Sequence, residues 1–511
     1  MYEIYLENRI KKITGKSNIK LSTPPSHFNG DLSTNAAMVS GMNPENLAEN
    51  LEKNGCVEKV EVAGPGFVNL TLTMDCLRDE LKELLKNPKE YGKIEKDEEI
   101  LIEMVSSNPT GPLHIGHGRG AALGDALGRI LERLGYKVHR EYYVNNTGRQ
   151  MELLGQSILN TIKGREVPEA GYQGDYIKEV AVQLKDKCSD TETCAHQAAQ
   201  IILKKHIDIL KDFRISYDSI VYEKDIVNEG AVEKVIRKMK IDGLIYEKEE
   251  AVWFNTTNFG DDRDRVLKKK GGEYTYFATD CAYHKDKARR VKSLINVWGA
   301  DHHGYVNRLK AFWKAYGLDK EHNIDILLYQ LVNLKRGGEK VSMSTRAGEF
   351  VTLKEVIDEV GVDATRFFLL MRNYDSPLEF DLKLAKEESK KNPVYYVQYS
   401  HTRICSIFRK AGVDIDTLDI SGVENLGEEE REIIKAISHF PYVLKKSGSL
   451  KSPNLLTGYL RVLATKFHKY YDTVRVLGSS KEYARLVLLK AIKTVINDGL
   501  NLLGVNSPEE M

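Results

Sequence analysis

The spacing of apolar positions along the chain changes near residue 100 and again near 380, which marks out three stretches. The first opens on an amphipathic helical pattern and a Pro/Ser-rich turn, Ser22-Thr23-Pro24-Pro25-Ser26. Residues 60–70 then predict two short strands around Gly64-Pro65-Gly66, and a helix near 75–87 stops before Pro88 and Gly92. Together these predict a small α+β domain, residues 1–93. In the second stretch, Ile100-Leu101-Ile102-Glu103-Met104-Val105 is a nearly continuous apolar run suited to a buried parallel strand. A turn rich in Ser, Asn, Pro and Gly follows, then a helical period over 116–134 that stops at Gly135, then a strand at 138–144. That is one βαβ unit. Residues of about 150–270 are mixed and highly charged and read as an insertion between two halves of a parallel sheet. Strands resume at 274–278 and 294–298. From about 380 onward helical patterns dominate, with glycines and a proline marking the loops. The reading is a multidomain α/β chain: 1–93, a Rossmann-like parallel-sheet domain over 94–380, and an all-α domain over 381–511.

Composition limits the partners less than it first suggests. A chain of 511 residues is too long for one core. With 75 Lys+Arg against 74 Asp+Glu its net charge is +1, which excludes a uniformly basic coat or a polyanionic tail. The charge is unevenly spread, however. From Arg431 to Lys493 there are thirteen Lys/Arg and three acids, whereas Asp414 to Glu430 holds seven acids and no base. Aromatics interleave the basic stretch (Phe467, His468, Tyr470, Tyr471), which reads as an RNA surface as readily as a solvated helix face. Six cysteines sit at wide spacings, and the nearest pair, Cys188 and Cys194, has no second pair to complete a zinc site. Reduced, partly buried thiols in a cytosolic protein are expected, with no structural metal. The N-terminus lacks the apolar core of a signal peptide, and no apolar run approaches the roughly 20 residues that span a bilayer.

Three segments carry candidate chemistry. His114-Ile115-Gly116-His117 lies between strand and helix, at the carboxyl edge of the inferred sheet where open α/β folds bind ligands. Two imidazoles three apart can donate to phosphoryl oxygens there, Gly116 and Gly118 allow a ligand close to the backbone, and the helix N-terminus favours phosphate. Next, Gly299-Ala300-Asp301-His302-His303 ends a strand in an acidic turn that can accept from ribose hydroxyls or simply close an Asx-turn. Finally, Lys340-Val341-Ser342-Met343-Ser344-Thr345-Arg346 is a polar loop with hydroxyls and cations.

HIGH at 114–117, GADHH at 299–303 and SMSTR at 342–346 resemble the ordered signatures of class I aminoacyl-tRNA synthetases. The arginyl-tRNA synthetase family resembles the chain further and over nearly its whole length. SSNPTGPLHIGHGR (106–119) is similar to that family's active-site segment, and GDLSTNAAM (30–38) and VAGPGFVNLTL (62–72) to its N-terminal domain. NPVYYVQYSHTR (392–403) and GLNLLGVNSPEEM (499–511) resemble the two ends of its helical anticodon-binding domain.

The resemblance implies ATP-dependent activation of L-arginine to an adenylate, then transfer to the 3′ end of tRNA(Arg), with Mg2+ accompanying ATP. His114 and His117 are then expected to stabilise phosphoryl charge, with Gly116, Asp301, His302, Met343 and Ser344 around the nucleotide. The lysine at the fourth position of the family's KMSKS loop is here Thr345, and the lysine some members carry shortly before HIGH is here Gly111. Lys340, Lys335 or Arg346 can supply that charge, and Lys340 is the expected source. Tyr276 and Asp280 match the family's arginine-recognition motif, Glu223 a second guanidinium-binding carboxylate, and Glu103 and Asn108 positions nearer the α-amino group. A guanidinium, with five donors in a plane, calls for such carboxylates and aromatic surfaces. Tyr396, Tyr399 and Arg403 share a helical face suited to splayed anticodon bases, or equally to a buried stripe. The resemblance also places Met511 near the anticodon and Asn35 near the D-loop corner of the tRNA. It implies a cytoplasmic enzyme, expected to be a monomer, without membrane association or an editing domain. The alternatives are a synthetase for another amino acid, a nucleotidyltransferase for a small molecule, and an inactive tRNA-binding paralogue.

Overall fold

The computed structural model describes all residues except 26–27, 53–54, 95 and 342–350. It forms two compact units: Met1–Glu95 with Ser389–Leu502 and Asn506–Met511, and Lys96–Glu388 with Leu503–Val505.

In the first unit, helix α1 (Tyr2–Thr14) precedes a four-stranded antiparallel sheet of β1 (Leu21–Ser22), β2 (Leu32–Thr34), β3 (Val57–Ala63) and β4 (Phe67–Leu72), in the order β1-β2-β4-β3. Helices α2 (Ala36–Ser40), α3 (Pro44–Glu52) and α4 (Met74–Lys86) complete this part. The Thr73 hydroxyl caps α4, whose leucines Leu77, Leu81 and Leu84 recur at helical spacing and are all buried.

The second unit is built on a five-stranded parallel sheet. Strand β5 (Glu99–Met104) leads to α5 (Ile115–Leu134) and β6 (Lys137–Val144). Helices α6 (Gly148–Ile162), α7 (Asp175–Leu184) and α8 (Thr191–Asp212) pack on one another. Strand β7 (Ser219–Tyr222), helices α9 (Glu223–Asn228) and α10 (Ala231–Ile241), and an antiparallel sheet of β8 (Ile245–Lys248), β9 (Ala251–Phe254) and β10 (Arg265–Lys268) follow. Then come α11 (Tyr276–Arg290), β11 (Ser293–Gly299), α12 (His303–Ala315) and β12 (Asn323–Tyr329). The central order is β12-β11-β5-β6-β7, every pairing parallel. A small sheet of β13 (Val332–Arg336), β14 (Glu339–Lys340) and β15 (Leu378–Asp381) encloses α13 (Leu353–Val360) and α14 (Val362–Leu370) in sequence, and α15 (Leu382–Ala385) ends the unit's main run.

The chain returns to the first unit through α16 (Pro393–Ala411), α17 (Arg431–Ser438), α18 (Phe440–Ser449), α19 (Asn454–Thr473) and α20 (Glu482–Leu502). Among the described residues no helix is long and apolar enough to cross a membrane.

Four sequence expectations are corrected. Residues 274–278 are not a strand: after a single bridge at Tyr274, the Thr275 hydroxyl accepts from the Ala278 amide and starts α11. The span read as an insertion is interrupted, because β7 returns to pair with β6 at the edge of the central sheet. Cys188 and Cys194 are joined in a disulfide rather than reduced, since the turn from α7 into α8 brings their Cα atoms to 5.2 Å. The other four cysteines form no disulfide among the described residues. Finally, Gly118 faces packing rather than a ligand: a Cβ there would lie 2.6 Å from Leu353 of α13.

Candidate active site

A cavity of about 870 Å3 opens at the carboxyl ends of the parallel strands in the second unit. The chain enters it from β5 through a tight turn. Val105 and Ser106 have φ of 71° and 43°, and the Ser106 amide donates to the Met104 carbonyl at 3.0 Å. A β-branched residue at positive φ is strained, and such turns persist where surrounding bonds overdetermine them. Here the Ser106 hydroxyl donates to Glu103 Oε1 at 2.9 Å and accepts from the Tyr143 amide at 3.2 Å.

One group of lining residues is built by the start of α5. His114 is its N-cap, and its Nδ1 accepts from the amides of Gly116 (3.1 Å) and His117 (3.3 Å). The Nδ1 of His117 accepts in turn from the His114 amide at 3.2 Å. The two rings stack with centroids 3.7 Å apart. Because both Nδ1 atoms accept, each ring carries its proton on Nε2. Burial lowers the pKa of His114, partly offset by the charge of Asp301. Burial lowers that of His117 further, with His114 and His206 adding to it. The pair is therefore neutral and offers N–H groups to an oxyanion without carrying charge. Gly116 is required by His114 itself, whose ring would stand 2.9 Å from a Cβ there. Asp301 and His302 lie in the turn after β11, exposed at the cavity, with His302 Nε2 3.6 Å from Asp301 Oδ2.

A second group is acidic and aromatic. Glu103 from β5, Glu223 at the start of α9 and Asp280 from α11 line the cavity with Tyr143, Tyr276 and Tyr305. Glu223 is 3% exposed, its Oε2 has no hydrogen-bond partner among the described residues, and burial raises its pKa despite the hydroxyls of Thr147 and Thr279. Asp280 is raised to about 7: burial is the main cause, the charges of Glu223 and Glu103 add, and Tyr305 and Lys287 oppose. Tyr276 opens α11, and its hydroxyl fits over Gly148, where a Cβ would stand 2.3 Å away. Asn108 Nδ2 donates to Gln150 Oε1 at 2.6 Å, so the preceding turn is tied to α6.

Other expected residues lie elsewhere. Lys340 is exposed on β14, paired in register with Lys335, and is not among the cavity's lining residues. Met343 and Ser344, with Thr345 and Arg346, lie outside the described residues. In the first unit, Asn35 Oδ1 accepts from the Lys20 amide at 2.8 Å. Tyr396 and Tyr399 of α16 meet the His468 ring of α19 at 4.8 and 5.8 Å, and the Arg403 guanidinium sits 4.3 Å from the Tyr471 centroid. The C-terminal tail is held to α16 by His401 Nδ1 and Thr402 Oγ1, each 2.9 Å from the Pro508 carbonyl, and Met511 is exposed.

The basic stretch is largely committed within its own unit. Eight of its thirteen cations form ion pairs among the described residues: Arg431, Lys435, Lys445, Lys446, Lys466, Lys481, Arg485 and Lys493. Sequence reasoning missed Gln150, Trp298, Tyr305 and Lys287. Glu103 in an otherwise apolar strand was the available signal that a buried cation stands nearby.

Three family models cover the chain: "Arginyl tRNA synthetase N terminal domain" over residues 2–72, "tRNA synthetases class I (R), catalytic domain" over 80–406, and "DALR anticodon binding domain" over 397–511. The chain belongs to the arginyl-tRNA synthetase family. Among curated members, the arginine–tRNA ligase of Desulfosudis oleivorans is 44% identical over 97% of this chain and 95% of its own. That of Lawsonia intracellularis is 41% identical over 99% and 98%. The solved arginyl-tRNA synthetase of Thermus thermophilus superposes with a TM-score of 0.82 at 22% identity, covering all of both chains, a likeness of fold.

Proposed function

We infer that the chain, an arginine–tRNA ligase, seats its amino acid beside the carboxylates of the cavity and ATP beside the paired histidines. The observation that carries this is Asp280 and Glu223: a half-buried and a buried acid, both raised in pKa and both lining the cavity, with no ion-pair partner among the described residues. A pair of carboxylates without ion-pair partners among the described residues, set between aromatic walls, fits a guanidinium. Tyr276 then packs on the substrate side chain, and Glu103 and Asn108 stand toward its α-amino group.

With the amino acid held there, its carboxylate attacks the α-phosphorus of ATP and pyrophosphate departs. The 3′-terminal ribose hydroxyl of the tRNA then attacks the carbonyl carbon, and AMP leaves. Neither step needs a covalent enzyme intermediate, so the work is positioning and charge stabilisation. His114 and His117 donate through Nε2–H to the phosphoryl oxygens, and Gly116 allows the His114 ring to lie back over the helix start. Asp301 and His302 serve the ribose side, Met343 and Ser344 the adenine and phosphates, and Mg2+ arrives with ATP. Lys340 supplies the cation that Thr345 does not. The tRNA is met at Asn35, at Tyr396, Tyr399 and Arg403, and at Met511. The working form is a cytoplasmic monomer.

ATP–pyrophosphate exchange with each amino acid, with and without tRNA, tests the reading: arginine alone supports exchange. Lys340→Ala lowers the exchange rate tenfold or more, as expected for one charged hydrogen bond worth about 2–4 kcal/mol in the transition state. An unchanged rate removes Lys340 from the phosphate site, and exchange driven by another amino acid removes the arginine seating.

A further inference from the structure

One row of cross-strand neighbours in the central sheet is polar: Ser219, Glu141, Glu103 and Asn296 stand side by side on β7, β6, β5 and β11. Glu141 and Glu103 are both buried on adjacent strands, an arrangement in which like charges repel. Helix α11 answers each with its own cation. Arg290 grips Glu141 at 2.6 and 3.0 Å, and the hydroxyls of Tyr283 and Ser219 each donate to it at 2.8 Å. Lys287, with none of its surface exposed, pairs with Glu103 Oε2. Its ammonium also donates to Asn296 Oδ1 at 3.1 Å and stands 4.1 Å from the Tyr283 ring centroid.

The two ion pairs differ in one respect. Glu141 is not among the cavity's lining residues, and its pair serves the scaffold. Glu103 lines the cavity: its Oε2 is taken by Lys287, while its Oε1 accepts from the Ser106 hydroxyl at 2.9 Å and faces Trp298 Nε1 at 3.5 Å. Lys287 is held in turn, because Asn296 Nδ2 donates to His284 Nε2 at 2.8 Å and His284 Nδ1 donates to the Asp280 carbonyl at 2.9 Å. A built-in cation therefore connects the scaffold row with the acidic wall, and it neutralises one of three carboxylates there.

We propose that Lys287 is a positioning residue that sets specificity for an α-amino acid: as the internal counter-ion of Glu103, it lets the substrate carboxylate approach an acid-lined wall. This rests on the seating of arginine given above. The α-carboxylate shares a carbon with the α-amine, so whatever stands beside one is close to the other. An unpaired Glu103 repels the carboxylate that must attack ATP, while an amine lacking that group, such as agmatine, meets no such repulsion.

The test uses the full-length enzyme with tRNA present, reading the arginine KM in pyrophosphate exchange and the inhibition constant of agmatine against arginine. Lys287→Met is expected to raise the arginine KM at least tenfold, change kcat less than threefold, and leave agmatine inhibition unchanged or tighter. Lys287→Arg restores most of the loss. The double variant Glu103→Gln/Lys287→Met removes the pair as a neutral unit and returns the agmatine-to-arginine ratio to within threefold of wild type. It also covers the case in which the single variant fails to fold. Equal changes for both ligands in Lys287→Met, or a double variant that keeps the shifted ratio, overturn the proposal. If Glu223→Gln and Asp280→Asn leave the arginine KM alone, the seating itself fails. If those variants weaken arginine while the ratio in Lys287→Met stays fixed, only the role of Lys287 fails.

Discussion

Two sets of carboxylates removed wholly or partly from water have opposite surroundings in this chain. In the first unit, Glu7 and Asp31 are 1% and 7% exposed and are met by cations from the C-terminal helices. Lys445 and Lys446 reach Glu7 at 2.7 and 3.0 Å, while Lys435 and Arg431 reach Asp31 at 2.8 and 2.7 Å. Burial alone pushes these acids up, but the lysines outweigh it and hold Glu7 at about 2. Asp31 is likewise lowered, helped by the Leu72 amide. In the second unit, Glu223 and Asp280 meet desolvation without an ion-pair partner among the described residues, and their pKa values rise, at Asp280 against the opposing charge of Lys287. On the seating proposed above, the difference separates scaffold from site. A buried acid with its counter-ion holds two parts of one unit together, and a buried acid without one keeps a place for a cationic ligand.

Removing one carboxylate from each set sharpens that contrast. Asp280→Asn carries the largest expected effect. On the proposed seating, losing a charged contact to the guanidinium costs about 3 kcal/mol, roughly a hundred-fold in the arginine KM. The melting temperature is expected to hold or rise, because the variant relieves crowding among like charges. Glu7→Gln does the reverse at smaller scale. Stability falls by about 1–2 kcal/mol, because the partly exposed Lys445 and Lys446 can still reach water, and the arginine KM stays within twofold. The folded pKa of Glu7, about 2, lies below the unfolded value of about 4.3, so its contribution is present above pH 4.3 and lost as pH falls toward 2. Denaturant melts of the two variants at pH 7 and pH 3 check both signs. The Glu7→Gln destabilisation should shrink at pH 3, and equal destabilisation at both pH values would break the comparison.

The central framework was legible because its signals are local. The apolar run of β5, the helical period of α5 with Gly135 as its stop, and the His-x-x-His start each sit within a few residues of one another. The misread parts depend on long separations or on a single cap. Tyr274 to Ala278 has the aromatic and β-branched content of a strand, yet one Thr275 hydroxyl commits it to helix. The ion pairs of the basic stretch were only partly legible, because some join residues within it, such as Lys466 and Glu432, and others join distant ends of the chain. Lys445 and Glu7 are 438 residues apart, so composition showed the excess and not its partner. The carboxylates of the cavity were found through motif resemblance. What distinguishes Glu223 and Asp280 physically is that neither has an ion-pair partner among the described residues, whereas Glu103 has Lys287, and that can be seen only after folding.

The most direct test is proton release on arginine binding, measured by isothermal titration calorimetry in buffers of different ionisation enthalpy. With Asp280 at about 7 in the free protein and ionised once paired with a guanidinium, binding releases about 0.9 proton at pH 6 and under about 0.2 at pH 8. Release near zero at both pH values would mean that Asp280 is already ionised or does not meet the ligand, and the account of an uncompensated acid awaiting its cation would be wrong.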